Sequence, residues 1–190
     1  MTEASSGLRR VLERQDRGRG CLILQRLIYL LFIYSDMRLP NVQRISFFVL
    51  RVVSGLLFFA SGLGKILTDW SATGYLNAAS GPFAGFFQSM AGSPVVDALN
   101  SWGMLLIGVA LIIGFGTRIA LFFAALLMVL YYFAQFEANT AHGLIDEHVM
   151  YFVAFFVMAA HSVGAVWGVD AWVMRQKWFK KTPWLAYLIG

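Results

Sequence analysis

Ionisable side chains set within long apolar runs are the residues of this sequence best placed to do chemistry: Arg51, Lys65, Glu147, His148 and His161. A charge in hydrocarbon is costly, so such residues face a bundle interior, meet a partner or snorkel back to the headgroups. At 100° per residue, Arg51, Ser54, Gly55, Phe58, Gly62 and Lys65 share one helical stripe, roughly a third of the circumference. Small and polar residues on one stripe suit close helix packing or a cavity wall. Glu147 and His148 open a later apolar run at the same level as Lys65. The expected site is a Lys65–Glu147 ion pair with His148 beside it. Lys65 supplies positive charge, Glu147 orients Lys65 or His148, and His148 moves a proton. Plainer readings exist for each. Lys65 and Arg51 can snorkel, Asp146 and Glu147 can cap a helix start, and His161 reads as a packing histidine bonded to a backbone or hydroxyl group. Arg51 and Arg118 are assigned to structure or topology.

Other chemistry is excluded by arithmetic. The histidines are His142, His148 and His161. The last two point about 140° apart on one helix, so they do not ligate one haem together. With Cys21 the single cysteine, no disulfide, CxxC pair or metal site is expected. Gly62-x-Gly64 before Lys65 lacks the spacing of a nucleotide loop. Such a site could still serve a redox-active lipid. A quinone needs an apolar slot with aromatic walls and one or two hydrogen-bond donors at its carbonyls. Trp70, Tyr75, Phe83, Phe86, Trp102 and Tyr151 are the expected walls, with Tyr131 and Tyr132 nearby. Asn100 and Gln135 join Lys65 and His148 as polar groups. No tightly bound cofactor is expected; a membrane quinone is the expected electron acceptor.

The elements that must position these residues follow from composition. The 190 residues are 59% hydrophobic and 13% charged, against about 25% charged in a soluble domain. Four runs are long enough to cross a bilayer: 45–67, 95–115, 118–136 and 147–168. The expected fold is all-α, an integral membrane four-helix bundle with an outer interfacial loop or helix and a C-terminal amphipathic segment. Arg38, Arg44, Arg118, Arg175, Lys177, Lys180 and Lys181 fall at one end of these runs. The opposite loops carry Asp69, Glu137 and Asp146 and no Lys or Arg. By the positive-inside tendency both termini are cytoplasmic, in a multi-pass protein of the plasma membrane. The long loop 68–94 is expected to be a partly helical lid broken at Gly81-Pro82.

The expected division is a basic extension over 1–44, the transmembrane domain over 45–168 and a basic amphipathic tail over 169–190. The segment 21–34 is apolar but short for a span, and one reading starts the protein at Met37. The basic excess is concentrated in the first 44 residues, with eight Arg and four acids. That suits a membrane surface and does not suggest a nucleic acid.

Arg51-Val-Val-Ser-Gly-Leu-Leu-Phe-Phe-Ala-Ser-Gly-Leu-Gly-Lys65 resembles the opening helix of the DoxX family. GYLNAASGPFAGFFQSMAG (74–92), VDALNSWGMLLIGVALIIGFGTR (96–118), LIDEHVMY (144–151) and VWGVDAWV (166–173) resemble its DoxD-like branch. The pieces occur in the expected order and span about 46–175. The resemblance implies the membrane subunit of a thiosulfate:quinone oxidoreductase, passing electrons from thiosulfate to a quinone and working with a companion redox subunit. A homo-oligomer is a further expectation. The alternative is a non-catalytic scaffold that recruits a soluble redox enzyme. A small-solute transporter is less favoured without inverted repeats or paired broken helices.

Overall fold

The computed structural model describes residues 41–141, 143–176, 179, 185 and 189. The readings placed on residues 1–40, on His142 and on most of the tail after Gln176 lie outside them. The regular elements among the described residues are helices, with one isolated bridge between Ser80 and Gln135. In chain order they are α1 (Asn41–Leu67), α2 (Thr73–Asn77), α3 (Ala84–Ser89), α4 (Pro94–Ile113), α5 (Thr117–Ala134), α6 (Phe136–Asn139), α7 (Glu147–Ala160), a 3-10 turn (Val163–Ala165) and α8 (Val169–Met174).

Three helices, α1, α4 and α5, are long and apolar enough to cross a membrane. Their outward positions carry Leu56, Leu57, Leu63, Leu106, Phe122 and Leu130, all exposed. An apolar mantle of this extent fits a lipid solvent. In the expected fourth run, 147–168, the continuous helix is shorter than the run. Helix α7 has 14 residues, about 21 Å of helix, against a hydrocarbon core of about 30 Å. It stops because Ser162 and Trp167 take left-handed backbone conformations, at φ 49° and 53°.

Helices α1 and α4 meet at glycines. A Cβ on Gly62 would lie 2.4 Å from the Leu105 nitrogen, and one on Gly108 2.3 Å from the Phe59 nitrogen. The two backbones therefore touch, as small residues permit in membranes. Below this seam Phe58, Leu111, Leu121, Ala124, Phe155 and Met158 form the buried core. Arg51, Gly55, Phe58 and Gly62 are the buried residues of α1, the stripe that helical periodicity lays out.

The end of the bundle near Arg51 is locked by polar contacts. The fully buried Arg51 donates from Nη1 to the Val163 and Val166 carbonyls at 2.7 and 2.9 Å. The buried Asp170 accepts from the Gly116 and Thr117 amides at 2.8 and 3.0 Å and from the Thr117 hydroxyl. These bonds cap the start of α5 and satisfy donors that a helix start leaves free. Arg51 and Asp170 thus hold the turns, in keeping with a structural assignment for Arg51. Arg118 donates to the Ser162 hydroxyl at the same end. His161 closes α7, its Nδ1 on the Val157 carbonyl at 2.9 Å and its ring stacked on Phe47.

Candidate functional site

At the opposite end, the last turn of α1 brings Lys65 between α4 and α5. Its Nζ donates to Asn100 Oδ1 at 2.6 Å and Tyr131 Oη at 3.2 Å, and lies 3.1 Å from Met104 Sδ. Trp70 lies over the ammonium, 4.2 Å from ring centroid to Nζ. Asn100 Nδ2 donates to the same Tyr131 oxygen at 2.8 Å. Three helices therefore converge on one cation through neutral partners. Among the described residues no carboxylate makes an ion pair with Lys65. That is unusual for a half-buried lysine, which ordinarily meets an acid when it leaves water.

His148, in the first turn of α7, makes a T-shaped contact with the Tyr131 ring at 6.2 Å. Tyr131 is thus shared by Lys65 and His148. The expected Lys65–Glu147 pair does not form. Glu147 is exposed, and among the described residues its side chain has no hydrogen-bond or ion-pair partner. The reason is helical phase: Glu147 sits 100° from His148, and the face carrying His148 is the one turned to α5. Asp146 takes the orienting position instead. Its Oδ2 lies 2.6 Å from His148 Nδ1, while its Oδ1 accepts from the Val149 amide at 3.1 Å. Partial burial alone would raise the Asp146 carboxyl. The bonds from His148 and Val149 outweigh it and hold the group below the usual carboxylate range.

The expected aromatic walls divide. Trp70 and Tyr75 belong to the site. Tyr75 packs edge-on against Tyr131 at 5.7 Å and donates its hydroxyl to the Tyr131 carbonyl at 3.3 Å. Burial, then the neighbouring Tyr131, push the Tyr75 phenol up to about 12, so it stays a neutral donor. The others lie elsewhere. Phe83 packs on Phe133 and Phe86 on Phe87 at the surface of the loop, both at least half exposed. Trp102 faces outward from α4. Tyr151 stacks on Phe155, one turn down α7 from His148.

The loop 68–94 folds over this end as α2 and α3. Asp97 Oδ1 accepts from the Ala72 amide at 2.7 Å, Gln135 Nε2 donates to the Tyr75 carbonyl at 3.1 Å, and the Ser80 amide donates to the Ala134 carbonyl at 3.0 Å. Beneath these bonds Ala72, Leu76, Ala79, Phe87 and Ala134 make a second small core. The loop is therefore docked against the first turn of α4 and the C-terminal end of α5.

The chain was compared with protein-family models, curated proteins and solved structures. The DoxX family model matches residues 46–142, just over half of the chain. The chain belongs to the DoxX family. No curated protein and no solved structure matched it. The matched segment takes in most of α1 and all of α2 to α6, so it contains Lys65, Trp70, Tyr75, Asn100, Met104 and Tyr131. Asp146 and His148 lie just beyond it. With three spanning helices and an exposed apolar mantle, this DoxX protein is a membrane protein.

Sequence reasoning placed Tyr131 among the walls and did not see it as a hydrogen-bonding hub. It left out Met104 and gave Asp146 only a capping role. A signal for Asp146 was present: an N-cap carboxylate two residues before a histidine can reach both the amide of the first turn and the imidazole.

Proposed function

We propose that this DoxX protein is the quinone-interacting membrane subunit of an oxidoreductase complex, of the DoxD-like kind that takes electrons from thiosulfate. The observation that carries this reading is the Lys65 ammonium, held by Asn100 and Tyr131 among aromatic rings, with no carboxylate paired to it among the described residues. A cation so placed favours a ligand whose oxygen gains negative charge. A quinone carbonyl does so as it accepts electrons, and preorganised donors stabilise that charge best in a water-poor site. Asn100, Tyr131 and Tyr75 supply further hydrogen-bonding groups, and Trp70 supplies a flat apolar wall. His148 exchanges the proton.

In this reading a companion subunit delivers the electrons. Thiosulfate, an anion, would meet the same cation or a site on that companion. The basic residues Arg44, Arg118 and Arg175 lie at the Arg51 end. Asp69, Glu137 and Asp146 lie at the Lys65 end, which supports cytoplasmic termini and a site at the outer face of the plasma membrane.

The test is reconstitution in lipid nanodiscs with a candidate companion redox subunit that co-purifies with the chain. Thiosulfate should reduce a water-soluble quinone analogue, and Lys65→Ala should abolish most of that turnover. No reduction with the companion present, or full turnover in Lys65→Ala, defeats the reading. The scaffold reading is favoured by the exposed Phe83 and Phe86 on the docked loop. It predicts a stable companion complex whose affinity depends on those two rings and in which the isolated chain binds no quinone.

A further inference from the structure

Resting on the quinone reading, we infer that Asp146 is a positioning residue: it holds His148 with the proton on Nδ1, so that Nε2 is the nitrogen that exchanges a proton with a bound quinone oxygen. The carboxylate is fixed twice, by the Val149 amide on Oδ1 and by His148 Nδ1 on Oδ2. A carboxylate only accepts, so the nitrogen facing it must carry the hydrogen. Both side chains are largely shielded, at 17% exposure for His148 and 12% for Asp146. Among the described residues, His148 Nε2 has no hydrogen-bond partner. The ring lies against Tyr131, whose hydroxyl is the oxygen shared by Lys65 and Asn100. The order along the site is therefore Asp146, His148, Tyr131, Lys65.

The step balances. Two thiosulfate ions join through a new S–S bond as tetrathionate and release two electrons, which the companion subunit passes to the quinone; the quinone takes up two protons, one from His148 and the other from solvent. The Nε2–H bond of the imidazolium breaks, an O–H bond forms on the quinone oxygen, and the Nδ1–H bond stays intact, donating to Asp146 Oδ2. The imidazole then regains a proton from solvent. Asp146 never leaves its carboxylate form and touches no reacting atom.

Two substitutions at this position separate positioning from capping, because asparagine and serine are both good N-cap residues. In Asp146→Asn the amide oxygen still accepts from Val149, but the amide NH2 now faces Nδ1 and calls for a lone pair there. In Asp146→Ser the cap remains and the imidazole loses its partner. Nitrogen-15 NMR of histidine-labelled protein in nanodiscs, with His148→Ala to assign the signal, reads the tautomer without any turnover. The wild type should show Nδ1–H at His148. Asp146→Asn should move it to Nε2–H, and Asp146→Ser to a mixture. Turnover of the complex in Asp146→Asn should fall about 10-fold or more with KM little changed.

A wild-type Nε2–H tautomer, or a tautomer unmoved by Asp146→Asn, overturns the inference, as does full turnover in Asp146→Asn. If the tautomer moves as expected and the wild-type complex reduces no quinone, the quinone reading fails while the positioning of His148 by Asp146 stands.

Discussion

Lys65 and Tyr131, 66 residues apart in sequence, meet at 3.2 Å through Nζ and Oη. The contact ties the last turn of α1 to the last turns of α5. Because Asn100 donates to the same phenol oxygen, that oxygen joins three helices. A cation and two neutral polar groups are kept together in a place where each alone would be costly to bury.

Replacing Tyr131 by Phe keeps the ring and removes the shared oxygen. One Lys65 donor and one Asn100 donor are then left to find water. Net loss per buried hydrogen bond is about 1 kcal/mol, and more where a charged donor is involved. We expect Tyr131→Phe to lower stability by about 1–3 kcal/mol, seen as a reduced melting temperature in detergent. Quinone-analogue affinity should weaken as well. An unchanged melting temperature would show that the three-helix junction contributes nothing.

The glycine seam makes a sharper steric prediction. At Gly62 an added Cβ meets Leu105 backbone at 2.4 Å, whereas at Gly64 it meets nothing within 4 Å. Gly62→Ala should force α1 and α4 apart and cost about 1–3 kcal/mol. Gly64→Ala should be neutral or stabilise by up to about 1 kcal/mol, since alanine favours the helix. Melting temperatures of the pair, measured side by side, check the sign of each.

The stripe on α1 was legible because helical periodicity is a property of the sequence alone. Arg51, Gly55, Phe58 and Gly62 are buried where 100° steps put them. The length of α7 was not legible. Residues 161–168 are apolar enough to continue a span, and the break is made by Ser162 and Trp167 at positive φ rather than by proline. What forces the break is distant: Arg51 gathers the carbonyls of Val163 and Val166, more than 100 positions away. The site was legible in part. Lys65, His148, Trp70 and Tyr75 cluster because helix ends come together in an antiparallel bundle. Glu147 was off by one position, which on a helix is a different face.

The Arg51 end gives the next prediction. Arg51→Met fills most of the volume but leaves the Val163 and Val166 carbonyls without their donor. Both carbonyls accept from Arg51 Nη1 in the wild type, at 2.7 and 2.9 Å. Leaving buried acceptors without their donor costs about 1–3 kcal/mol each. The expected outcome is a poorly folded protein, with protease cleavage appearing between His161 and Gly168. A fully folded Arg51→Met with an intact turn would show that this end is held by packing alone.

The Asp146 carboxyl sets a pH dependence whose sign can be worked out. In the folded protein the group lies below its usual value because His148 and Val149 donate to it. In the unfolded chain it returns to about 3.9. The unfolded state then binds the proton first as pH falls, so this contribution to stability is fully present above about pH 5 and is lost progressively as pH drops through the folded value. Asparagine carries no such charge at any pH. The melting temperature of wild type should therefore exceed that of Asp146→Asn at pH 6, and the gap should close as the pH is lowered towards 3. A gap that stayed constant over that range would show that the carboxylate charge is not what stabilises the start of α7. The N-cap geometry alone would then account for the residue, and the imidazole beside it would be free to choose its own tautomer.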